Sequence, residues 1–276
     1  MPTPEPQPTT IAGWLAVAPH LRDLLDAIPS DATRARGLSD ADLIGLVQAY
    51  IRAIDRIAAA EVNITARLLT GIAPAMRARW ADRWVRDLLP AATATFQAMH
   101  AARLTPRVER IVSLPGDPNA GPRSVAFVDL RGSTAYMAEH DGSAIRALVD
   151  GMFLAAQHVA DQHDVVIAKH LGDGVMLMGL DPAEMYAAGR TALRLIEEMT
   201  PLTAGVGIDF GPITTRAGDY FGTPVNCASR LAELARPNEI VLTRDAVPEP
   251  VPAGVWSDVP IRGLRHPART LTVRDW

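Results

Sequence analysis

The pattern of this chain changes once, between residues 105 and 123, and the change limits it to two unlike parts. Up to Leu104, Ala, Leu, Arg and Ile dominate and no strand-like run occurs. Ile11 to Ile28 reads as a short helix interrupted near Pro19. Ser39 suits an N-cap, with Asp40 and Asp42 in the first turn, where the helix dipole favours acids. The next helix carries Leu43, Leu46, Val47, Tyr50, Ile51, Ile54, Ile57 and Ala58 at helical spacing. Gly71 and Pro74 separate it from a helix running through Trp80 and Trp84 to Leu89, and Pro90 is expected to kink or divide that helix from another ending at Leu104. Residues 1–104 are therefore predicted as an all-helical module. Residues 105–123, with Pro106, Pro115, Gly116, Pro118, Gly121 and Pro122, are predicted as a linker.

From residue 124 to 276 strand and helix patterns alternate. Ser124–Leu130 reads as a buried strand, and a helix is expected soon after Gly132-Ser-Thr134. Ser143 to Gln162 reads as a helix. Val165–His170 and Val175–Gly179 read as strands joined by a tight Leu-Gly-Asp-Gly turn. Pro182 to Met199 is a helix with Asp181 as N-cap and Pro182 at its first position. Leu202–Phe210 and Pro212–Arg216 are strands, Pro224 to Ala235 a helix, and Glu239–Thr243, Val259–Arg262 and Thr270–Val273 the last strands. The fold class is α+β, a sheet flanked by helices and preceded by the helical module.

Composition narrows the function classes. A net charge of −4 gives no bulk attraction to nucleic acid or an anionic membrane. One cysteine, Cys227, excludes an internal disulfide framework and a cysteine-rich zinc site, and is expected as a small core residue. The N-terminal Met1 to Thr10 lacks a basic-then-apolar signal pattern. The longest apolar stretch, Leu43 to Ala60, is interrupted by Arg52, Asp55 and Arg56, so no membrane span is expected and a cytoplasmic setting fits.

Three stretches carry chemistry: Val125-Ala-Phe-Val-Asp-Leu-Arg-Gly-Ser-Thr134, Val166-Ile-Ala-Lys-His-Leu-Gly-Asp-Gly174, and Asp219-Tyr-Phe-Gly-Thr-Pro-Val-Asn-Cys-Ala-Ser-Arg230. Asp129 closes an apolar strand, where it can ligate a hard cation or merely cap a helix. Asp173 sits in a hairpin turn, where Asp-Gly is common for purely conformational reasons. If the strand before the hairpin lies beside the Asp129 strand, both carboxylates reach one end of the sheet, and they repel unless a cation or proton joins them. Lys169 lies on a strand and needs a partner if buried, or simply faces solvent. Asn226 and Arg230 fall four residues apart on one helix face, suited to a sugar oxygen and a phosphoryl charge, or to a plain polar face. Arg262-Gly263-Leu264-Arg265 reads as a basic turn that reaches a terminal phosphate or is a solvated loop.

Together these residues resemble the class III adenylate cyclase catalytic domain, over about Ser124 to Val273. The family's Phe-x-Asp-x-x-Gly-x-Thr stretch is matched by Phe127 to Thr134, and its Lys four residues before a second metal Asp by Lys169 and Asp173. Its Asp, Asn seven residues on and Arg four beyond are matched by Asp219, Asn226 and Arg230. The resemblance implies a ferredoxin-like domain with a mainly antiparallel sheet, converting ATP to 3′,5′-cyclic AMP and pyrophosphate with two divalent cations, Mg2+ or Mn2+. It implies Asp129, Leu130 and Asp173 as the metal set, Lys169 and Asp219 as the adenine-selecting pair, and Asn226 and Arg230 as catalytic. Phosphate would meet Gly132, Ser133, Thr134 and Arg262. Such domains act as head-to-tail homodimers, the metal set coming from one subunit and the adenine and catalytic residues from its twin. Related guanylate cyclases replace the Lys and Asp by residues such as Glu and Cys, so the pair here favours ATP over GTP. A non-catalytic or autoinhibited nucleotide-binding regulator is the alternative. Ser133 stands where the family often has Phe, and the short stretch from Gly211 to Asp219 resembles the bacterial class IIIc subgroup, some of whose members carry a helical regulatory domain. A pH or small-molecule input to the helical module is expected by that analogy.

Overall fold

The computed structural model describes residues 40–113, 121–216 and 218–274. The expected helix at Ile11–Ile28 and the Ser39 cap lie outside them. Two compact units emerge: Met1–Ala120 with Arg216–Gly218, and Gly121–Thr215 with Asp219–Trp276.

The first unit is helical, as its spacing predicts. It holds α1 (Asp40–Leu68), α2 (Pro74–Arg83), a π-helical turn (Trp84–Leu88) and α3 (Leu89–Ser113). Gly71, at φ 84°, lies in the break before α2, and Pro74 opens that helix where no N–H is needed. The interruption expected near Pro90 takes the form of a wider π turn at 84–88, which relieves the clash a proline makes with the carbonyl four residues back. One expectation needs correction. The linker does not begin at residue 105, because α3 continues through Pro106 to Ser113. One proline removes a single ladder hydrogen bond, and the residues around it are competent helix formers. Among the described residues no helix is long and apolar enough to cross a membrane.

The second unit is built on β1 (Pro122–Leu130), α4 (Ser133–Glu139), α5 (Gly142–Gln162), β2 (Val165–His170), β3 (Gly174–Gly179), α6 (Pro182–Met199) and β4 (Ala204–Pro212). This β1–α5–β2–β3–α6–β4 run gives the strand order β2-β3-β1-β4, the ferredoxin-like arrangement. The chain continues through a ribbon of β5 (Thr214–Arg216) and β6 (Asp219–Phe221), then α7 (Thr223–Leu234), β7 (Ile240–Thr243), β8 (Val255–Val259) and β9 (Ala268–Val273). The last three strands extend the sheet to seven, in the order β7-β9-β8 beyond β4. Only β4 and β7 pair in parallel; the other ladders of this sheet are antiparallel. The expected strand at Val259–Arg262 is displaced. Val255 to Val259 pairs along β9 instead, and Arg262 falls in the following turn with Gly263 at φ 99°.

Strand alternation sorts the side chains onto two faces. Ala126, Val128 and Leu130 of β1 join the main core with Leu148, Met152 and Val159 of α5 and Met185, Leu193 and Ile196 of α6. Val125 and Phe127 turn the other way, toward α7, and Asp129 follows them by alternation. The helix α7 faces the sheet with Cys227, Ala228 and Leu231. Burial pushes the Cys227 thiol pKa up, reinforced by the neighbouring Asp209 carboxylate, so the residue is an inert core group as expected.

Glycines on β4 set the closeness of that packing. A Cβ on Gly207 would fall 2.2 Å from both the Ala228 carbonyl and the Ala232 amide, so the helix backbone rests directly on the strand. We expect Gly207→Ala to destabilise the fold by about 1–3 kcal/mol through overpacking, read as a lowered urea midpoint. An unchanged midpoint would show that α7 is free to lift from the sheet.

Candidate active site

In the ladder Asp129 lies opposite Gly174 of β3 and Gly205 of β4. Neither neighbour carries a side chain, so both strands close up around the carboxylate. A Cβ on Gly174 would sit 3.1 Å from the Val128 carbonyl and 3.5 Å from Asp129 Oδ1. Asp173 occupies the turn just before Gly174, and its carbonyl accepts the Leu130 amide at 3.0 Å, which clamps the turn to the end of β1. The Ser133 hydroxyl donates to Asp173 Oδ2 at 2.6 Å. The two acids thus share one end of the sheet, but through β3, the strand after the hairpin, rather than through the strand before it, because β3 lies between β2 and β1.

Arg131, which the sequence reading passed over, binds this end together. Its Nη2 contacts Asp129 Oδ2 and donates to the Ala232 carbonyl at 2.9 Å, while Nη1 donates to the Glu233 carbonyl at 3.3 Å. These carbonyls belong to the last turn of α7, where the helix dipole favours a cation. A signal was present: a basic residue inside the Asp129–Thr134 stretch must either leave or pair with the acid beside it.

Desolvation raises the Asp129 pKa above its usual value. Arg131 opposes the rise, and the carboxylates of Asp173 and Glu233 add to it. A half-buried acid held against a second acid is what a divalent cation relieves. The available donors are the oxygens of Asp129 and Asp173, with Leu130 able to add only its main-chain carbonyl because its side chain is in the core. Among the described residues no three His, Cys, Asp or Glu side chains cluster as a metal site. The protein therefore offers a small, hard oxygen set of the kind Mg2+ or Mn2+ accepts when substrate oxygens and water complete the shell.

Gly132, at φ 76°, turns the chain into α4. Ser133 is buried and its hydroxyl is committed to Asp173, which leaves its amide for a ligand.

Lys169 reaches the α7 face through an irregularity. Between Ile167 and Lys169 the register slips, so Ile167 faces Leu177 while Lys169 faces Met176. Strict alternation from Ile167 would have sent Lys169 toward α5; the bulge re-aims it. His170 lies on the α5 side instead, stacked on Phe153 at 4.9 Å between ring centres. Lys169 Nζ pairs with Asp219 Oδ1, the first residue of β6, and Asp219 Oδ1 also accepts the Tyr220 amide at 2.7 Å.

Asn226 and Arg230 lie one turn apart on the exposed side of α7, away from the sheet. Arg230 Nη1 is 2.7 Å from each carboxylate oxygen of Glu233. The structure therefore forms three groups: Asp129, Asp173 and Ser133; Lys169 with Asp219; and Asn226 with Arg230. Arg262 joins none of them. It is exposed in the turn between β8 and β9, at the sheet end where β4 finishes but with β7 between β4 and β9, whereas Asp129 lies beside Gly205 near the start of β4.

Residues 118–248 match the model of the adenylate and guanylate cyclase catalytic domain. This segment is a class III nucleotide cyclase domain. The chain is 38% identical to an adenylate cyclase of Streptomyces griseus over 126 residues, which cover 44% of this chain and 31% of that protein. It is 35% identical to a pH-sensitive adenylate cyclase of Mycobacterium tuberculosis over 176 residues, 58% of this chain and 43% of that one. The chain thus matches less than half the length of either relative. Among solved structures, the adenylyl cyclase CyaB from P. aeruginosa is similar at 20% identity and a TM-score of 0.49, covering 56% of this chain and 95% of that one.

The raised pKa of Asp129 fixes a sign for the cyclase domain. In metal-free protein the folded state holds this proton more tightly than the unfolded chain does, so Asp129 lowers stability as pH rises from the usual carboxylate value through the raised one. Asp129→Asn is expected to unfold at higher urea than the parent at pH 7 in chelator, with the difference shrinking toward pH 3. Mn2+ should raise the parent's midpoint and leave the variant's unmoved. A variant less stable than the parent at pH 7 would contradict the charge reading.

Proposed function

We propose that the protein is an adenylate cyclase, converting ATP to 3′,5′-cyclic AMP and pyrophosphate at two equivalent sites formed between two copies of the chain. The observation that carries this reading is the division of the polar groups. The acid pair lies at the sheet end, while Asn226 and Arg230 face outward from α7. Each set would meet its complement on a second copy. The names of the relatives support the reaction.

Two divalent cations, Mg2+ or Mn2+, held by Asp129, Asp173 and the Leu130 carbonyl, would neutralise phosphate charge and acidify the ribose 3′-hydroxyl. The Gly132–Thr134 amides would hold phosphate oxygens beside them. From the other copy, Lys169 would donate to the adenine edge and Asp219 accept from it. Asn226 would orient the ribose for in-line attack on the α-phosphorus. Arg230 would leave Glu233 to neutralise charge growing on the transferring phosphoryl group. Arg262 would serve the terminal phosphate of the site that its own Arg230 serves. An ATP substrate favours a cytoplasmic setting.

The helical unit we read as a regulatory or dimerisation element that takes a pH or small-molecule input, with the cyclase domain over 124–276. The exposure of Ile54, Val62, Leu68, Val85 and Met99 supports an interaction role. A second reading, an autoinhibited form, draws support from the retention of Arg230 by Glu233.

The test is complementation. Asp173→Ala and Arg230→Ala proteins should each lose at least about 100-fold in cyclic AMP formation. Mixing them should restore activity, since one site of the mixed dimer keeps both halves. Inactivity of the parent chain with ATP and Mn2+ would refute the reaction. Inactivity of the mixture alone would refute the shared site. Separately, Lys169→Glu combined with Asp219→Cys should shift the ratio of kcat/KM for ATP over GTP by about 100-fold or more toward GTP. An unchanged ratio would remove the pair from base selection.

A further inference from the structure

We propose that Arg131 is a positioning residue that couples the two active sites of the dimer, by tying the metal-binding acid of one site to the helix that carries the catalytic arginine of the other. The inference rests on the proposed shared site and deepens it.

The observation is the span of one guanidinium. Nη2 of Arg131 holds Asp129 and the Ala232 carbonyl, and Nη1 holds the Glu233 carbonyl. Nε donates back to the Asp129 carbonyl at 3.2 Å. The Arg131 side chain is only 19% exposed, and its bonds to Asp129 and the Ala232 carbonyl are made in partly dehydrated surroundings, where they hold geometry better than surface contacts do, while the bond to the Glu233 carbonyl is exposed. Gly205 makes the space: a Cβ there would lie 3.3 Å from Arg131 Nε and 2.9 Å from the Ala235 Cβ.

Ala232 and Glu233 end the helix that presents Asn226 and Arg230, and the Glu233 carboxylate itself grips Arg230. One rigid fork therefore spans from the acid to within one turn of the arginine. If Asp129 serves one ATP and Arg230 of the same chain serves the other, this link inside a chain is a link between sites. Arg131 is not a catalytic residue in this proposal; it acts through the two groups it holds. Any movement of Asp129 onto a cation changes the load on the last turn of α7 in the same subunit.

Two consequences separate by chemistry. The guanidinium charge competes with a cation for Asp129. Arg131→Met should therefore bind Mn2+ about tenfold more tightly, read from the free Mn2+ signal in electron paramagnetic resonance without nucleotide. Its planar fork fixes α7, so kcat should fall by about 10–100-fold. Arg131→Lys keeps the charge and loses the fork. It should return Mn2+ affinity to the parent value and leave kcat low. Loss of structure alone would not tighten metal binding or split the two readouts.

The decisive measurement places Arg131→Met in one chain of the complementing dimer of Asp173→Ala and Arg230→Ala proteins. In the Asp173→Ala chain, which supplies the working Arg230, the substitution should lower kcat by about tenfold or more with an unchanged Mn2+ requirement. In the Arg230→Ala chain, which supplies the working acids, it should lower the Mn2+ concentration for half-maximal rate. A kcat within twofold of the unsubstituted mixture in the first placement overturns the coupling, as do identical effects in both placements. A mixture inactive before any change at Arg131 overturns the shared site, and the coupling with it.

Discussion

The contact between the backbone of α7 and the backbone of β4 decides where every other group on that face can be. Helices ordinarily sit on a sheet across a full layer of side chains. Here Gly207 removes the layer at its centre, and a methyl group would already collide with Ala228 and Ala232. The helix can therefore use small inward residues, Cys227 and Ala228, and its last carbonyls come low enough for the side chain of Arg131, the residue after β1, to reach them. Pro224 stands over Gly211 and Ala235 over Gly205, so the helix runs down the strand toward Asp129. Raised by a normal side-chain layer, the same helix would place Ala232 and Glu233 beyond Arg131, and the acid would lose its cationic neighbour.

Charge at the two ends of this face follows opposite rules. Around Asp129 the protein collects a second acid, a third from Glu233 and the negative pole of a helix, against the single guanidinium of Arg131. That imbalance raises the energy of ionised Asp129 and would suit this end to a cation. Lys169 and Asp219 are instead balanced one to one and each is more than a third exposed, so their mutual attraction is weak. A weak pair of one donor and one acceptor is easily parted by a base edge that offers the complementary groups. Under the proposed function, desolvation would favour a metal at one end, and exposure would keep the other end exchangeable.

Much of this was legible in the chain. The strand ending at Leu130, the Gly-Asp-Gly turn and the helix opened by Pro224 are local patterns, and local patterns survive into structure when burial agrees with them. The acid pair was legible because strands joined by a tight turn must bring their ends together, and the pairing of Asp129 with Gly174 then fixed the rest. What escaped depended on neighbours distant in sequence. Arg131 meets carbonyls of residues about a hundred positions later, and no periodicity announces a bond to a helix end. The bulge that turns Lys169 is a register slip between two strands, invisible in either alone. Pro106 misled for the reverse reason: it is a strong local signal against a helix, and the surrounding turns overrode it.

Symmetry turns these local facts into a statement about the assembly. A two-fold interface brings surface i of one copy to surface j of the other and j to i, so complementary patches on one face generate two equal sites at once. The chain presents such patches at separate places: acids at the sheet end, outward polar groups on α7, and a basic turn between β8 and β9. Under the proposed pairing each ATP would bridge two copies, and neither copy would own a complete site. The covalent chain then joins half of one site to half of the other. A stiff link between those halves would carry information across the dimer, and between Asp129 and α7 the structure supplies one in the part-buried, multiply bonded guanidinium of Arg131.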